Sequence, residues 1–208
     1  MVSCRMRCQI AVIFLSLMAA SALAGDPPAL IPLPQKMECR DGVFPLQPET
    51  LILTDAATRD TGQCLAEQLG KATGYSLKAG ASTQAQPAKG EILLTTQDAK
   101  PELGAEGYEL TVAPDSVVVR AGESAGLFYG VQSLLQLLPP EVYAAKPAAG
   151  VDWKIPCVRI EDQPRFKWRG LMLDVARHFF TPGEVKPWTT TSPQTMPPNR
   201  APPATICR

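Results

Sequence analysis

The sequence predicts an α+β fold: a mixed, mainly antiparallel sheet with two helices on one face. Three observations carry that expectation. GYELTVAPDSVVVRAG alternates apolar and polar residues on both sides of a Pro114-Asp115 turn, the pattern of a half-buried β-hairpin. Two longer stretches place apolar residues at helical spacing. Gly170-Leu171-Met172-Leu173 is a continuous apolar run, the mark of a strand buried on both faces.

Taken in order, residues 25–50 are punctuated by Pro27, Pro28, Pro32, Pro34, Pro45 and Pro48. Proline removes a backbone donor, so this segment is expected to be extended, with edge strands at most. Leu51-Ile52-Leu53-Thr54 reads as a strand, and Asp55 can cap a helix over residues 57–73. In that helix Cys64, Leu65, Leu69 and Ala72 share a face, and Gly74 stands where a left-handed C-terminal glycine belongs. Residues 75–78 and 91–95 are short strands separated by a polar loop. After the hairpin, Leu127, Val131, Leu134, Leu135 and Leu138 form one stripe of a helix over residues 124–138, stopped by Pro139-Pro140. AAKPAAG links it to Trp153 and to a strand over residues 154–160.

Both ends read differently. MVSCRMRCQ supplies two arginines and no acid, residues 10–24 are apolar, and Ala22-Leu23-Ala24 is a small-residue cleavage site. This is expected to be a signal peptide cut after Ala24, its apolar run shorter than the roughly 20 residues of a membrane span. Residues 187–208 contain six prolines and no acid, and are expected to be disordered.

Lys+Arg and Asp+Glu balance at 20 each, with no basic stripe or cluster, so neither nucleic acid nor a membrane surface is an expected partner once the signal is cleaved. An exported chain can hold disulfides, and Cys39, Cys64, Cys157 and Cys207 allow three pairings. Cys39–Cys64 is one of them, and buried thiols are an equal alternative. With one histidine and no CxxC pair, no metal site and no cofactor is expected.

Three ordered segments carry a resemblance: GYELTV with VVVRAG, then GLFYGVQSLLQLLP, then IPCVRIEDQPRFKWRGLMLDVARHFF. Together they resemble the amino-terminal portion of glycoside hydrolase family 20, the β-N-acetylhexosaminidases, over residues 31–186. The resemblance implies a non-catalytic α+β domain over residues 25–150. Residues 151–186 would then hold its last strand, a linker and the first strand of an incomplete (β/α)8 barrel. It implies glycans ending in N-acetylglucosamine or N-acetylgalactosamine as partners. It also implies substrate-assisted hydrolysis, in which the sugar's own acetamido oxygen attacks the anomeric carbon. One substrate-binding residue carries over, Arg169 of the Arg-Gly pair, whose planar fork of donors suits two adjacent ring hydroxyls. Its structural alternative is an ion pair. Asp174, Arg177 and His178 also match the pattern and are expected to brace a barrel mouth. Trp168 is expected to be a core or interface aromatic, with a sugar-stacking platform as the alternative.

The family's catalytic Asp-Glu pair belongs to a later barrel strand. The carboxylates near the motif here are Glu161, Asp162, Asp174 and Glu184, with Glu161-Asp162 expected as a solvated strand end. No catalytic residue is therefore assigned, and the chain is expected to be a truncated, inactive relative. The alternative is a stand-alone secreted α+β binding or scaffold module.

Overall fold

The computed structural model describes residues 28–84, 86–170, 174 and 179–185. Seven strands form one sheet: β1 (Lys36–Pro45), β2 (Leu51–Thr54), β3 (Lys78–Ala81), β4 (Glu91–Thr95), β5 (Tyr108–Val112), β6 (Ser116–Ala121) and β7 (Lys154–Asp162). Helix α1 (Arg59–Thr73) follows β2, and helix α2 (Ser124–Gln136) follows β6. The strand order is β1-β7-β5-β6-β4-β2-β3.

The sheet is mixed, as expected, but not mainly antiparallel. The pairs β1–β7, β7–β5 and β5–β6 are antiparallel, while β6–β4, β4–β2 and β2–β3 are parallel. Side-chain alternation reports which face a residue occupies, not the direction of the neighbouring strand. The parallel half also explains the crossovers, because adjacent parallel strands cannot be joined by a tight turn. Helix α1 makes the β2-to-β3 connection.

One core joins sheet and helices. Leu110, Val112, Val117 and Val119 are fully buried, with Ile92, Leu94 and Ile52 continuing the same layer. The helices touch each other; α1 packs on β2 and β3, and α2 on β5 and β6. Leu127, Val131, Leu134, Leu135 and Leu138, the stripe read from sequence, are all buried. The approach of α2 to the hairpin is close. A Cβ at Gly130 would lie 2.5 Å from Val119 Cγ1 and 3.0 Å from Tyr108 Cδ2.

Local chemistry sets the helix ends. Asp55 does not cap α1 directly. Its Oδ1 accepts from the N–H groups of Ala57 and Thr58, ordering the turn before the helix, and its Oδ2 accepts from Thr96 N–H at 2.6 Å. These hydrogen bonds hold its carboxyl below the usual carboxylate range against the opposing effect of burial, the largest single influence. One side chain thus ties the exit of β2 to the exit of β4. At the other end Gly74 adopts φ 78° and donates to Gly70 O at 2.9 Å, the left-handed stop anticipated there.

The opposite face of the sheet is charged. Glu109 lies beside Glu161 and Arg120, and Thr111 beside Arg159. Glu161 is not a solvated strand end. It accepts from Lys36 at 3.2 Å, from Arg159 at 3.2 Å and from Lys100. Cys39 is free and exposed, Cys157 is free and buried, and Cys64 is disulfide-bonded, so a Cys39–Cys64 bridge is not formed. No helix among the described residues is long and apolar enough to cross a membrane.

Candidate functional site

Arg169 lies seven residues beyond β7, on the segment that leaves the sheet. Its position is fixed by two residues of the seven-stranded unit that sequence patterning did not single out. Glu106 precedes β5, and Tyr129 sits on α2. Arg169 Nη2 donates to Glu106 Oε1 at 2.8 Å, and Nη1 to Glu106 Oε2 at 3.3 Å, a two-pronged ion pair. Nη1 also donates to Phe166 O at 2.6 Å and Nη2 to the Tyr129 hydroxyl at 3.2 Å. The guanidinium carbon stands 5.7 Å from the centre of the Tyr129 ring, within cation–π range. Tyr129 Oη donates in turn to Glu106 Oε1 at 3.4 Å.

Counting donors defines what this arrangement can do. A guanidinium has five N–H groups. These contacts engage all four on Nη1 and Nη2, leaving Nε–H outside them. Arg169 and Glu106 are both largely covered, at 27% and 17% side-chain exposure, so solvent screens the pair less than it would an open surface ion pair. The Glu106 carboxylate, foremost, raises the Arg169 pKa, with burial opposing. No spacing rule connects Glu106 or Tyr129 to Arg169, because 63 and 40 residues separate them. Both do fall inside or next to the GYELTV and GLFYG segments, which was the available hint.

The remaining predicted residues divide. Trp168 is 84% exposed and Phe166 70%, so Trp168 is not a core residue of the described unit. Asp174 is exposed. Arg177, His178 and the strand expected at residues 170–173 lie outside the described residues, apart from Gly170, as do the leader and the tail. Residues 182–185 form a helical turn whose start is capped. The Glu184 carboxylate accepts from Thr181 N–H at 2.8 Å and from Thr181 Oγ at 2.9 Å, which holds its pKa below the usual value. Of the four carboxylates near the motif, Glu161 and Glu184 are therefore engaged in structural contacts, and Asp162 accepts from Gln35 N–H. Among the described residues no group of three or more His, Cys, Asp or Glu could hold a metal ion.

Comparison with known proteins places this geometry in context. A family model described as glycosyl hydrolase family 20, domain 2, matches residues 27–163. A β-hexosaminidase of Porphyromonas gingivalis is 34% identical over 158 residues, covering 76% of this chain and 20% of that protein. A β-N-acetylhexosaminidase of Cellulomonas fimi is 32% identical over 161 residues, covering 76% and 30%. Among solved structures, the GH20 β-N-acetylhexosaminidase of Streptomyces coelicolor A3(2) superimposes with a TM-score of 0.65 at 36% identity, covering 76% of this chain and 31% of that one. The Streptomyces plicatus N-acetyl-β-hexosaminidase in complex with Thio-NAglucal gives 0.64 at 35% identity, covering 81% and 33%. The chain thus spans a fifth to a third of the length of these relatives.

Proposed function

This chain belongs to glycoside hydrolase family 20, and from that premise we propose that it carries the non-catalytic α+β domain of a β-N-acetylhexosaminidase together with the start of the catalytic barrel. The observation that carries the proposal is the match of a family model for domain 2 to residues 27–163, which bracket the whole seven-stranded sheet. The substrate class follows from the family: glycans ending in N-acetylglucosamine or N-acetylgalactosamine. The resemblance assigns Arg169 to hydroxyls of the terminal sugar, but its four Nη donors are taken by Glu106, Phe166 and Tyr129, which favours the ion-pair alternative: Arg169 fastens the departing segment to the α+β domain. The capped turn at residues 181–185 supports the reading that a barrel helix starts after Thr181.

In this mechanism the acid that protonates the leaving oxygen and the carboxylate that orients the acetamido group belong to later barrel strands. The acids near Arg169 are occupied otherwise, Glu106 and Glu161 by cations and Glu184 by Thr181. The 208-residue chain on its own is therefore expected to bind weakly and not to hydrolyse. The purified chain, incubated with a chromogenic N-acetylglucosaminide, should release no more chromophore than a mock preparation; turnover above that level refutes the assignment of the chemistry to the later strands. The leader pattern at residues 1–24 makes the protein an exported one, periplasmic or secreted. Amino-terminal sequencing of the exported protein should begin at Gly25, and a mature chain beginning at Met1 overturns this.

A further inference from the structure

Four large apolar side chains stand in solvent on two segments that the fold brings side by side. Ile31 is 81% exposed, Leu33 75%, Phe166 70% and Trp168 84%. The first two lie on the strap before β1, the others on the segment that leaves β7. Both segments are fastened to α2. Ile31 N–H donates to Gln136 Oε1 at 2.9 Å, and Gln136 Nε2 donates back to Ile31 O at 3.1 Å. Arg169 donates to the Tyr129 hydroxyl at 3.2 Å. Tyr129 and Gln136 are two turns apart on one face of the helix, about 10 Å along its axis. The segments are also tied to each other. Gln35 N–H donates to Asp162 Oδ1 at 3.1 Å, and Gln35 Nε2 to Gln163 O at 2.9 Å.

Polar bonds hold these segments from within, while their apolar side chains face out. Leu30 and Pro34 are buried and clamp the strap, with Ile31 and Leu33 turned outward between them. Phe166 gives its carbonyl to Arg169 and its ring to solvent. A single exposed apolar residue is ordinary, whereas a cluster held in place marks an interaction surface. We infer that this cluster is a preformed docking surface for the (β/α)8 barrel of a family 20 hydrolase. The inference rests on the reading that such a barrel follows the sheet domain. Phe166 and Trp168 lie within four residues of Gly170, where the first barrel strand is expected, so a barrel would begin at the surface itself. The family model stops at residue 163, and the relatives carry two-thirds or more of their length outside their match. Arg165 and Lys167 are exposed beside the two aromatics, so an acidic rim on the barrel complements them. The grip of Glu106 and Tyr129 on Arg169 orders the segment before the barrel arrives, which lowers the entropy that docking must overcome.

The probe is the part of the Streptomyces coelicolor A3(2) enzyme outside its match to this chain, roughly two-thirds of that protein, added to the 208-residue chain. Sedimentation should show the chain alone as a monomer and the mixture as an equimolar complex. Trp168 emission, assigned by its loss in W168F, should move to shorter wavelength on mixing. L33E and W168E, one on each segment, should each weaken the complex about tenfold or more. V43E, at an exposed apolar position on β1, should leave it unchanged. No complex with the wild type, or equal affinity in all three variants, overturns the dock and leaves the family assignment standing. Self-association of the chain that L33E and W168E abolish makes a second copy the occupant and overturns it too. Trp168 emission that answers N-acetylglucosamine alone makes Trp168 a sugar platform, with the same consequence. Hydrogen exchange on the chain alone is a check independent of the probe. The amides of Ile31 and Gln35 should exchange more slowly than those of a free peptide, and free-peptide rates there mean that no preformed surface exists. Turnover of a chromogenic N-acetylglucosaminide by the chain alone instead overturns the reading on which the inference rests.

Discussion

Glu161 shows how a single residue changes meaning once its partners are known. Beside Asp162 near the end of a predicted strand it had no neighbour in sequence to suggest more than a solvated acid. Its cations come from afar: Lys36 on β1, Lys100 in the loop after β4, and Arg159 on its own strand. The Lys100 and then the Lys36 hydrogen bonds lower its pKa from an ordinary 4.5 to about 2. A carboxyl whose folded pKa is depressed adds stability above its unfolded pKa, and that stability is lost as pH falls through the folded value. The window here runs from about pH 4.5 down to about pH 2. Lys36 is 75% exposed and Arg159 40%, so solvent screening limits the gain to about 1 kcal/mol. Melting curves of the wild type and Glu161→Gln should therefore differ near neutral pH and converge only as pH falls to about 2. A gap of unchanged size in acid shows that the ion network adds no stability.

At the scale of elements, what could be read from sequence depended on contrast between faces. The hairpin was legible because Tyr108, Leu110 and Val112 are buried while Glu109 and Thr111 between them are not, and its Ala113–Ser116 turn closes with hydrogen bonds of 2.9 and 3.3 Å. Strand β3 was not. KAGA is exposed throughout, so no alternation marks it, and it lies three residues beyond the strand expected from residue 75. Parallel pairing was missed although β4 carried its signature. Ile92, Leu93 and Leu94 are consecutively buried, the two-faced burial that had been recognised only at residues 170–173. The packing of α2 on the hairpin has its own test in Gly130→Ala. Alanine favours a helix interior by about 1 kcal/mol over glycine. Overpacking a tight site costs about 1–3 kcal/mol, and a Cβ 2.5 Å from Val119 has no room. The net expectation is a loss of about 1 kcal/mol, seen as a lower urea midpoint at unchanged slope. A higher midpoint means that α2 does not sit this close.

For the molecule as a whole, the family and the mixed sheet were legible because three ordered segments fall inside one domain, whereas the partners of Arg169 were not. A site assembled from a loop, a helix and a departing segment leaves no periodic trace, and only the fold brings Glu106 and Tyr129 to it. The same assembly decides where the molecule opens first. Local opening follows buried apolar contact and the pairing of each strand. Strands β4, β5 and β6 sit inside the order with fully buried Ile92, Leu94, Leu110, Val112, Val117 and Val119. Strand β3 closes one edge with four exposed residues, and β1 closes the other with Phe44 its sole buried residue. Native-state hydrogen exchange should thus be slowest across β5, β6 and β4 and fastest in β3. Residues 163–170 run beyond the last strand and are secured through Arg169, so their exchange should quicken in Glu106→Gln while the central strands keep wild-type rates. If β3 amides persist as long as those of β5, its outer edge is covered. If the central strands quicken together with residues 163–170, the Arg169 clasp is part of the cooperative core and not a fastening at its margin.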